Sequence, residues 1–201
     1  MRQALRERPD DARALAGLGQ VRAAGGRLAE AAARYDRALE LMPLPEYAAT
    51  LHEIDQARGE SRRAAADLAL LGAMQRLLTS NGARVDLERS LIDADLGRTG
   101  AKAIARARAA RALQPGILGD DVLGWTLTRA GRCADGLRYA RTSLRLGTRD
   151  ARLLFHAGAA ARCAGARSDA ARYLGQALRL NPHFSVRWAP VAKRMLAEVT
   201  V

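Results

Sequence analysis

The chain has 201 residues and a mass of 21.6 kDa, which is enough for one continuous core or for an array of repeats. Hydrophobic residues make up 49% of it but aromatic ones only 4%, and this composition favours helices that pack closely through small side chains. No stretch approaches the roughly 18 apolar residues of a membrane-spanning helix. Charged residues also interrupt the N-terminus where a signal peptide needs an apolar core, so we expect a cytoplasmic protein.

The formal net charge of +12 is concentrated in the second half of the chain. Residues 1–97 carry 14 Arg against 15 Asp and Glu, a net charge of −1, whereas residues 98–201 carry 19 Lys and Arg against 6 Asp and Glu, a net charge of +13. An unbalanced positive surface of this kind predicts an acidic partner.

Residues 11–43 have the pattern of two short amphipathic helices joined by a glycine-containing loop. Small residues stand where the two helices must touch, at Gly19, Ala31 and Ala38, and Pro43 ends the second helix because its ring cannot continue one. A hairpin this small cannot bury its apolar face alone, so the pattern predicts that copies stack on it.

Four copies follow, at 45–80, 83–115, 117–148 and 150–182. Gly97, Gly131 and Gly165 are spaced by 34 residues, and so are Ser90, Gly124 and Gly158. The 38-residue interval from Gly59 to Gly97 is longer by about one helical turn, which predicts a longer helix over 61–80. His52 occupies the position of a small residue. Residues 1–9 match the end of an earlier copy, which indicates a longer array, and a helix over 188–199 covers the last repeat.

The residues at fixed positions of these copies resemble those of the tetratricopeptide repeat (TPR) family. The Leu-Gly pair of that family falls on Leu18-Gly19 and Leu123-Gly124, and its Ala-x3-aromatic falls on Ala31 and Tyr35. Its Ala-Leu-x3-Pro falls on residues 38–43 and 177–182. The resemblance implies an all-α, right-handed α-α superhelix of about five helix-turn-helix repeats with a C-terminal capping helix, forming a single solenoid over 1–201.

TPR proteins are generally non-catalytic scaffolds that bind a peptide or a partner protein in a concave groove. The first helix of each repeat lines that groove, and Asp95 lies at one of its positions. In the basic half of the chain, the groove residues that we expect to bind a partner are Leu91, Asp121, Trp125, Arg129, Arg152, Phe155 and Arg162.

Two interpretations of the groove aromatics stay open. In the first, Trp125 and Phe155 form an apolar floor for a peptide whose carboxylates pair with Arg129, Arg152 and Arg162. In the second, the two rings pack against neighbouring helices and only support the superhelix.

The alternative function is binding of a polyanion, either nucleic acid or an acidic membrane, by the outer helices. Basic residues recur there at equivalent positions of neighbouring repeats and would form a ridge of positive charge: Lys102, Arg106, Arg138, Arg145, Arg172 and Arg179. A solvated arginine face that only keeps the repeats soluble explains the same residues.

The sequence does not predict an enzyme, a cofactor or a metal site. The histidines His52, His156 and His183 are too dispersed to form a metal-binding set. Cys133 and Cys163 could approach each other in the stack, but we interpret them as reduced, largely buried residues. If the chain continues upstream, an apolar face near Ala4 and Leu5 would allow self-association.

Overall fold

The computed structural model describes residue 6, residues 8–82 and residues 86–200. The chain divides into two compact units, Met1–Arg84 and Val85–Val201. All regular elements within these described ranges are α-helices, which confirms the all-α class. Most of the partial repeat expected at 1–9, including Ala4 and Leu5, lies outside the described residues, and the single solenoid over 1–201 stays a prediction.

The helices are numbered in chain order over the described ranges. The first unit contains α1 (Ala12–Ala24), α2 (Leu28–Leu41), α3 (Pro45–Ala57) and α4 (Ser61–Ser80). The second unit contains α5 (Asp86–Asp95), α6 (Ala101–Leu113), α7 (Ile117–Arg129), α8 (Cys133–Ser143), α9 (Ala151–Cys163), α10 (Arg167–Leu180) and α11 (Trp188–Thr200). The helix α4 has 20 residues and is the longer helix that the spacing predicts over 61–80.

Consecutive helices pack as hairpins. The pairs are α1 with α2 and α3 with α4 in the first unit, and α5 with α6, α7 with α8 and α9 with α10 in the second, where α11 packs against α10 and α9. The loops of the last two hairpins turn at Gly131 and Gly165, whose φ angles are +76° and +74°. Glycine enters this left-handed region without the steric cost that a Cβ atom brings.

Small residues lie at the helix contacts of the hairpins, as the sequence predicts. A Cβ atom added to Gly19 would lie 2.8 Å from Cδ2 of Tyr35, and one added to Gly124 would lie 3.0 Å from the backbone nitrogen of Ala140. These separations are shorter than ordinary van der Waals contact. Glycine at these positions therefore lets the two helices of a hairpin approach closely.

His52 is accommodated in the second hairpin by a hydrogen bond. Its side chain is buried, and its Nδ1–H donates to the backbone carbonyl of Ala64 on α4 at 2.7 Å. A buried polar ring is tolerated when it has such a partner. The larger residue therefore replaces a close backbone contact with a specific polar one.

Arg111 and Arg145 hold a buried carboxylate in the second unit. Arg111 Nε donates to Asp120 Oδ1 at 2.6 Å, and Arg145 Nη1 donates to Asp120 Oδ2 at 2.8 Å. Asp120 is only 2% exposed, and two charge-assisted hydrogen bonds offset the cost of its burial. Polar contacts thus contribute to packing in the same unit as the close glycine contacts.

Cys133 and Cys163 form a disulfide, so the prediction of reduced, largely buried cysteines is wrong. Cys133 begins α8 and Cys163 ends α9, and the stacking of these two helices brings the Cα atoms to 5.2 Å, within the normal range for a disulfide. Cys163 is exposed and Cys133 is half-buried, because both lie at helix ends and not in the core.

Candidate partner-binding site

The predicted groove residues lie on three helices of the second unit. Leu91 is on α5, Asp121, Trp125 and Arg129 are on α7, and Arg152, Phe155 and Arg162 are on α9. Leu91 packs at the edge of the core cluster that contains Trp125 and Phe155. The arginines extend to the surface, while the rings and Asp121 are buried.

Trp125 and Phe155 belong to an aromatic cluster that the C-terminal part of the chain completes. We use the term aromatic cluster for Trp125, Phe155, His156, Phe184 and Trp188. The centroid of Trp125 lies 5.6 Å from that of Phe155 and 5.4 Å from that of Trp188, both edge-to-face. Phe155 also lies 5.5 Å from both Phe184 and Trp188. Aromatic pairs with this spacing attract beyond the effect of simple burial.

Asp95 joins the two indoles of the aromatic cluster. Its Oδ1 accepts hydrogen bonds from Nε1 of Trp125 at 2.9 Å and from Nε1 of Trp188 at 3.0 Å. Residues 95 and 188 are 93 positions apart, so this carboxylate ties α5 directly to the start of α11. Both buried donors are satisfied by one charged acceptor.

The burial of these rings corrects the expectation of an open apolar floor. Trp125 is 2% exposed and Phe155 is fully buried, because Trp188 and Phe184 pack over them. A partner segment cannot contact either ring while residues 184–188 lie in this position. The two rings therefore act as core residues in this conformation, which corresponds to the second interpretation of the sequence.

Asp121 is likewise engaged inside the protein. Nδ1 of the buried His156 lies 3.0 Å from both carboxylate oxygens of Asp121, and the His156 ring stacks on Trp125 with centroids 4.4 Å apart. The pair links α7 to α9 beneath the aromatic cluster. Asp121 therefore positions the histidine ring and is not a surface contact for a partner.

Two guanidinium groups lie against the indole of Trp188 at the surface of the aromatic cluster. Cζ of Arg129 is 5.2 Å and Cζ of Arg187 is 4.6 Å from the ring centroid, within the range of cation–π contacts. Partial burial lowers the pKa of Arg129, and the positive charge of Arg187 lowers it further, while Asp95 opposes this effect. Neither arginine forms an ion pair with any residue that the structure describes.

The other two predicted arginines differ from each other. Arg162 Nη2 donates to Glu198 Oε2 at 2.6 Å, so α11 already supplies its carboxylate. Arg152 is exposed at the start of α9, and no ion pair of its side chain is present in the described ranges. Of the three predicted arginines, Arg129 and Arg152 thus have no carboxylate bound to them within the described ranges.

Most cations of the predicted outer ridge are paired. Arg106 bonds to Asp93, Arg138 to Asp135, Arg145 to Asp120 and Arg172 to Asp169. Arg179 and Lys102 are exposed and form no ion pair within the part of the chain that is described. Four carboxylates therefore reduce the free positive charge that the sequence pattern predicts for this surface.

Among residues 8–82 and 86–200, no helix is long and apolar enough to cross a membrane. The same residues contain no group of three or more His, Cys, Asp or Glu side chains placed to hold a metal ion.

The repeated geometry of the hairpins decides the class of the fold. Gly124 and Gly158 are 34 residues apart in sequence, and each lies close to the backbone of the second helix of its own hairpin. Gly131 and Gly165, with the same spacing, turn the loops of those hairpins. The described part of the chain is an all-helical stack of hairpins with a 34-residue spacing in its last two hairpins.

Comparison with known proteins finds similarity to solved structures but not to a family model or a curated protein. No protein-family model matches the chain, and no curated protein is significantly similar to it. The chain is similar to the crystal structure of the P58(IPK) TPR domain, with a TM-score of 0.42 and 13% identity over 94% of this chain. This chain spans 56% of the length of that structure.

Sequence reasoning missed the C-terminal residues that cover the predicted groove residues. Trp188, Phe184 and Arg187 were assigned only to a cap or to the segment before it, whereas the structure places them on the predicted groove residues. The repeat period identifies neighbouring helices only. It contains no signal that Trp188 reaches Asp95, which lies six helices earlier in the chain.

Proposed function

We propose that the protein is a non-catalytic protein-interaction scaffold that binds an acidic segment of a partner protein. The observation that supports this proposal is the pair of guanidinium groups, Arg129 and Arg187, on the indole of Trp188. Neither has an ion-pair partner among the described residues. The positive charge of Arg187 lowers the pKa of Arg129, and an incoming carboxylate relieves this repulsion and accepts directed hydrogen bonds.

The partner segment would lie along the exposed surface of α7, α9 and the start of α11. Arg129 and Arg187 would bind one carboxylate, and the exposed Arg152 would bind a second. Arg162 would exchange Glu198 for a partner carboxylate only if the exposed Arg162–Glu198 pair opens. An exposed ion pair is weak, so such an exchange costs little. The partner does not need to reach the buried rings.

Co-purification from the native host tests the proposal. The full chain and the double variant Arg129→Ala/Arg187→Ala are compared with the control Arg108→Ala/Arg194→Ala, which removes the same charge from exposed residues without ion pairs in the described structure. We expect the first variant to lose its protein partners at physiological salt and the control to keep them. Equal recovery by both variants would exclude this binding surface.

The alternative function, polyanion binding by the outer ridge, is supported by the exposed and unpaired Lys102 and Arg179. Nuclease treatment during the same co-purification separates the two functions. Two results together would favour polyanion binding by the outer ridge over an acidic protein partner. The co-purified proteins would be lost after nuclease treatment, and the protein would be retained on heparin near physiological ionic strength.

A further inference from the structure

A basic cleft lies between α8, the α8–α9 loop and α10, apart from the aromatic cluster. Its volume is about 760 Å³, within the range typical of small-molecule sites. Four arginines line it: Arg141, Arg149, Arg172 and Arg179. We call this feature the arginine cleft.

Two of the four guanidinium groups of the arginine cleft are paired, and both pair with the same carboxylate, Asp169. Asp169 Oδ2 accepts from Arg141 Nη2 and Asp169 Oδ1 accepts from Arg172 Nη2, both at 2.6 Å. These two hydrogen bonds hold the pKa of Asp169 below its usual value. Arg149 and Arg179 form no ion pair with residues 8–82 or 86–200. The cleft therefore keeps an excess of positive charge after its internal pairing.

Two of the arginines are held in place. The guanidinium of Arg172 lies 4.1 Å from the centroid of Tyr173, and its hydrogen bond to Asp169 raises the pKa of Arg172. The hydrogen bond of Arg141 to Asp169 likewise raises the pKa of Arg141. A ligand that meets prepositioned donors loses less conformational entropy than one that must order flexible arginines.

Three leucines also line the arginine cleft, beside the polar side chains of Thr148, Tyr173 and Gln176. The leucines are Leu144, Leu154 and Leu180. Leu180 is 38% exposed, so a ligand that covers it removes apolar surface from water. The cleft thus offers cations for a charged group and leucines for an apolar body.

We propose that the arginine cleft binds a phosphate monoester on an apolar organic body. A dianion balances the excess charge of four arginines and one carboxylate better than a monoanionic carboxylate does. Phosphate also accepts bidentate hydrogen bonds from guanidinium groups. The leucines contact the organic body of the ligand. This site is independent of the proposed partner surface, because it uses none of Arg129, Arg152 and Arg187.

Titration of the full chain with three small probes tests the proposal: phenyl phosphate, inorganic phosphate and benzoate. We expect phenyl phosphate to bind most tightly in isothermal titration calorimetry. Inorganic phosphate lacks the ring that contacts the leucines, and benzoate carries a single charge, so both bind more weakly. Benzoate that binds as tightly as phenyl phosphate, or inorganic phosphate that does so, would overturn the proposal.

Variants assign the binding to the cleft. Arg149→Ala/Arg179→Ala removes the two arginines without an ion pair in the described ranges, so the fold should persist, and we expect phenyl phosphate to bind at least tenfold more weakly. The control Arg108→Ala/Arg194→Ala removes equal charge elsewhere and should bind as the wild type does. Unchanged affinity in the first variant would overturn the assignment. If the protein binds heparin and phenyl phosphate does not displace it, the arginines form a surface for a polyanion and the proposal is overturned.

Discussion

Asp95 accepts two indole hydrogen bonds in the second unit. Single substitutions at Asp95 measure how much these hydrogen bonds contribute to the free energy of unfolding. Asp95→Ala leaves two buried N–H donors without an acceptor, so we expect the free energy of unfolding to fall by about 3 kcal/mol. Asp95→Asn keeps one amide oxygen as an acceptor and should lose less than half of that. Urea denaturation followed by tryptophan fluorescence is a direct measurement, because Trp125 and Trp188 are the only two tryptophans. Equal losses in the two variants would contradict the hydrogen-bonding role.

The raised pKa of Asp67 on α4 predicts that the stability of the first unit depends on pH. Burial, followed by the negative charges of the nearby Asp55 and Asp36, raises the pKa of Asp67 from its ordinary value of 3.8 to about 6. The folded state therefore binds a proton more tightly than the unfolded state does. Stability contributed by the protonated carboxyl is complete below about pH 4 and is lost as the pH rises through about 6.

Asp67→Asn removes this titration, because the amide stays neutral. We expect the variant to have a higher melting temperature than the wild type at pH 7.5, and the two to melt at nearly the same temperature at pH 4. Thermal unfolding followed by circular dichroism at both pH values makes the comparison. A difference of equal size at both pH values would show that the carboxyl charge is not the cause.

At the scale of the helices, a matched pair of glycines in one hairpin tests the close-packing argument. A Cβ atom added to Gly158 would lie 2.6 Å from Cγ of the buried Leu174, whereas one added to Gly175 would meet only the flexible end of Arg179. We expect Gly158→Ala to destabilise the protein by about 1–3 kcal/mol through overpacking. Gly175→Ala should be neutral or stabilising by up to about 1 kcal/mol, because alanine favours the helix. Urea denaturation measures both, and equal effects would refute the steric explanation.

The disulfide connects two neighbouring hairpins through Cys133 at the start of α8 and Cys163 at the end of α9. It closes a loop with a sequence separation of 30 residues, and loop closure of this length predicts a stabilisation of about 3 kcal/mol through the unfolded state. We therefore expect Cys133→Ser/Cys163→Ser to unfold at a lower urea concentration. Thiol titration of the oxidised, denatured wild type should detect no free thiol. Two free thiols would show that the pair is reduced.

The helical hairpins could be predicted because their determinants are local in sequence. Gly124, Pro182 and the loop glycines set helix contacts and helix ends within a few residues of themselves. The apolar spacing also predicts a helix over 188–199, and the structure has α11 at Trp188–Thr200. The residues that α11 contacts could not be predicted, because they depend on the packing angles of several successive helices.

At the scale of the whole molecule, the two units bear on function in different ways. The unit Met1–Arg84 contains Asp67 and its acidic neighbours, and the unit Val85–Val201 carries the basic excess, the aromatic cluster and the arginine cleft. Both surfaces proposed to bind ligands are thus in the second unit. The charge count along the sequence already places the excess of cations in the second half of the chain. It could not show which of these cations are paired.

The sequence by itself determined an all-helical repeat chain with glycines at the hairpin contacts, because the 34-residue period and the small residues act on neighbouring helices. Only the tertiary structure decided that Trp125 and Phe155 are buried, that Cys133 and Cys163 meet, and that Arg129 has no carboxylate partner among the described residues. The physical reason is that these contacts join residues 30 or more positions apart. Their distances are set by how successive hairpins stack, and a local pattern does not contain that information.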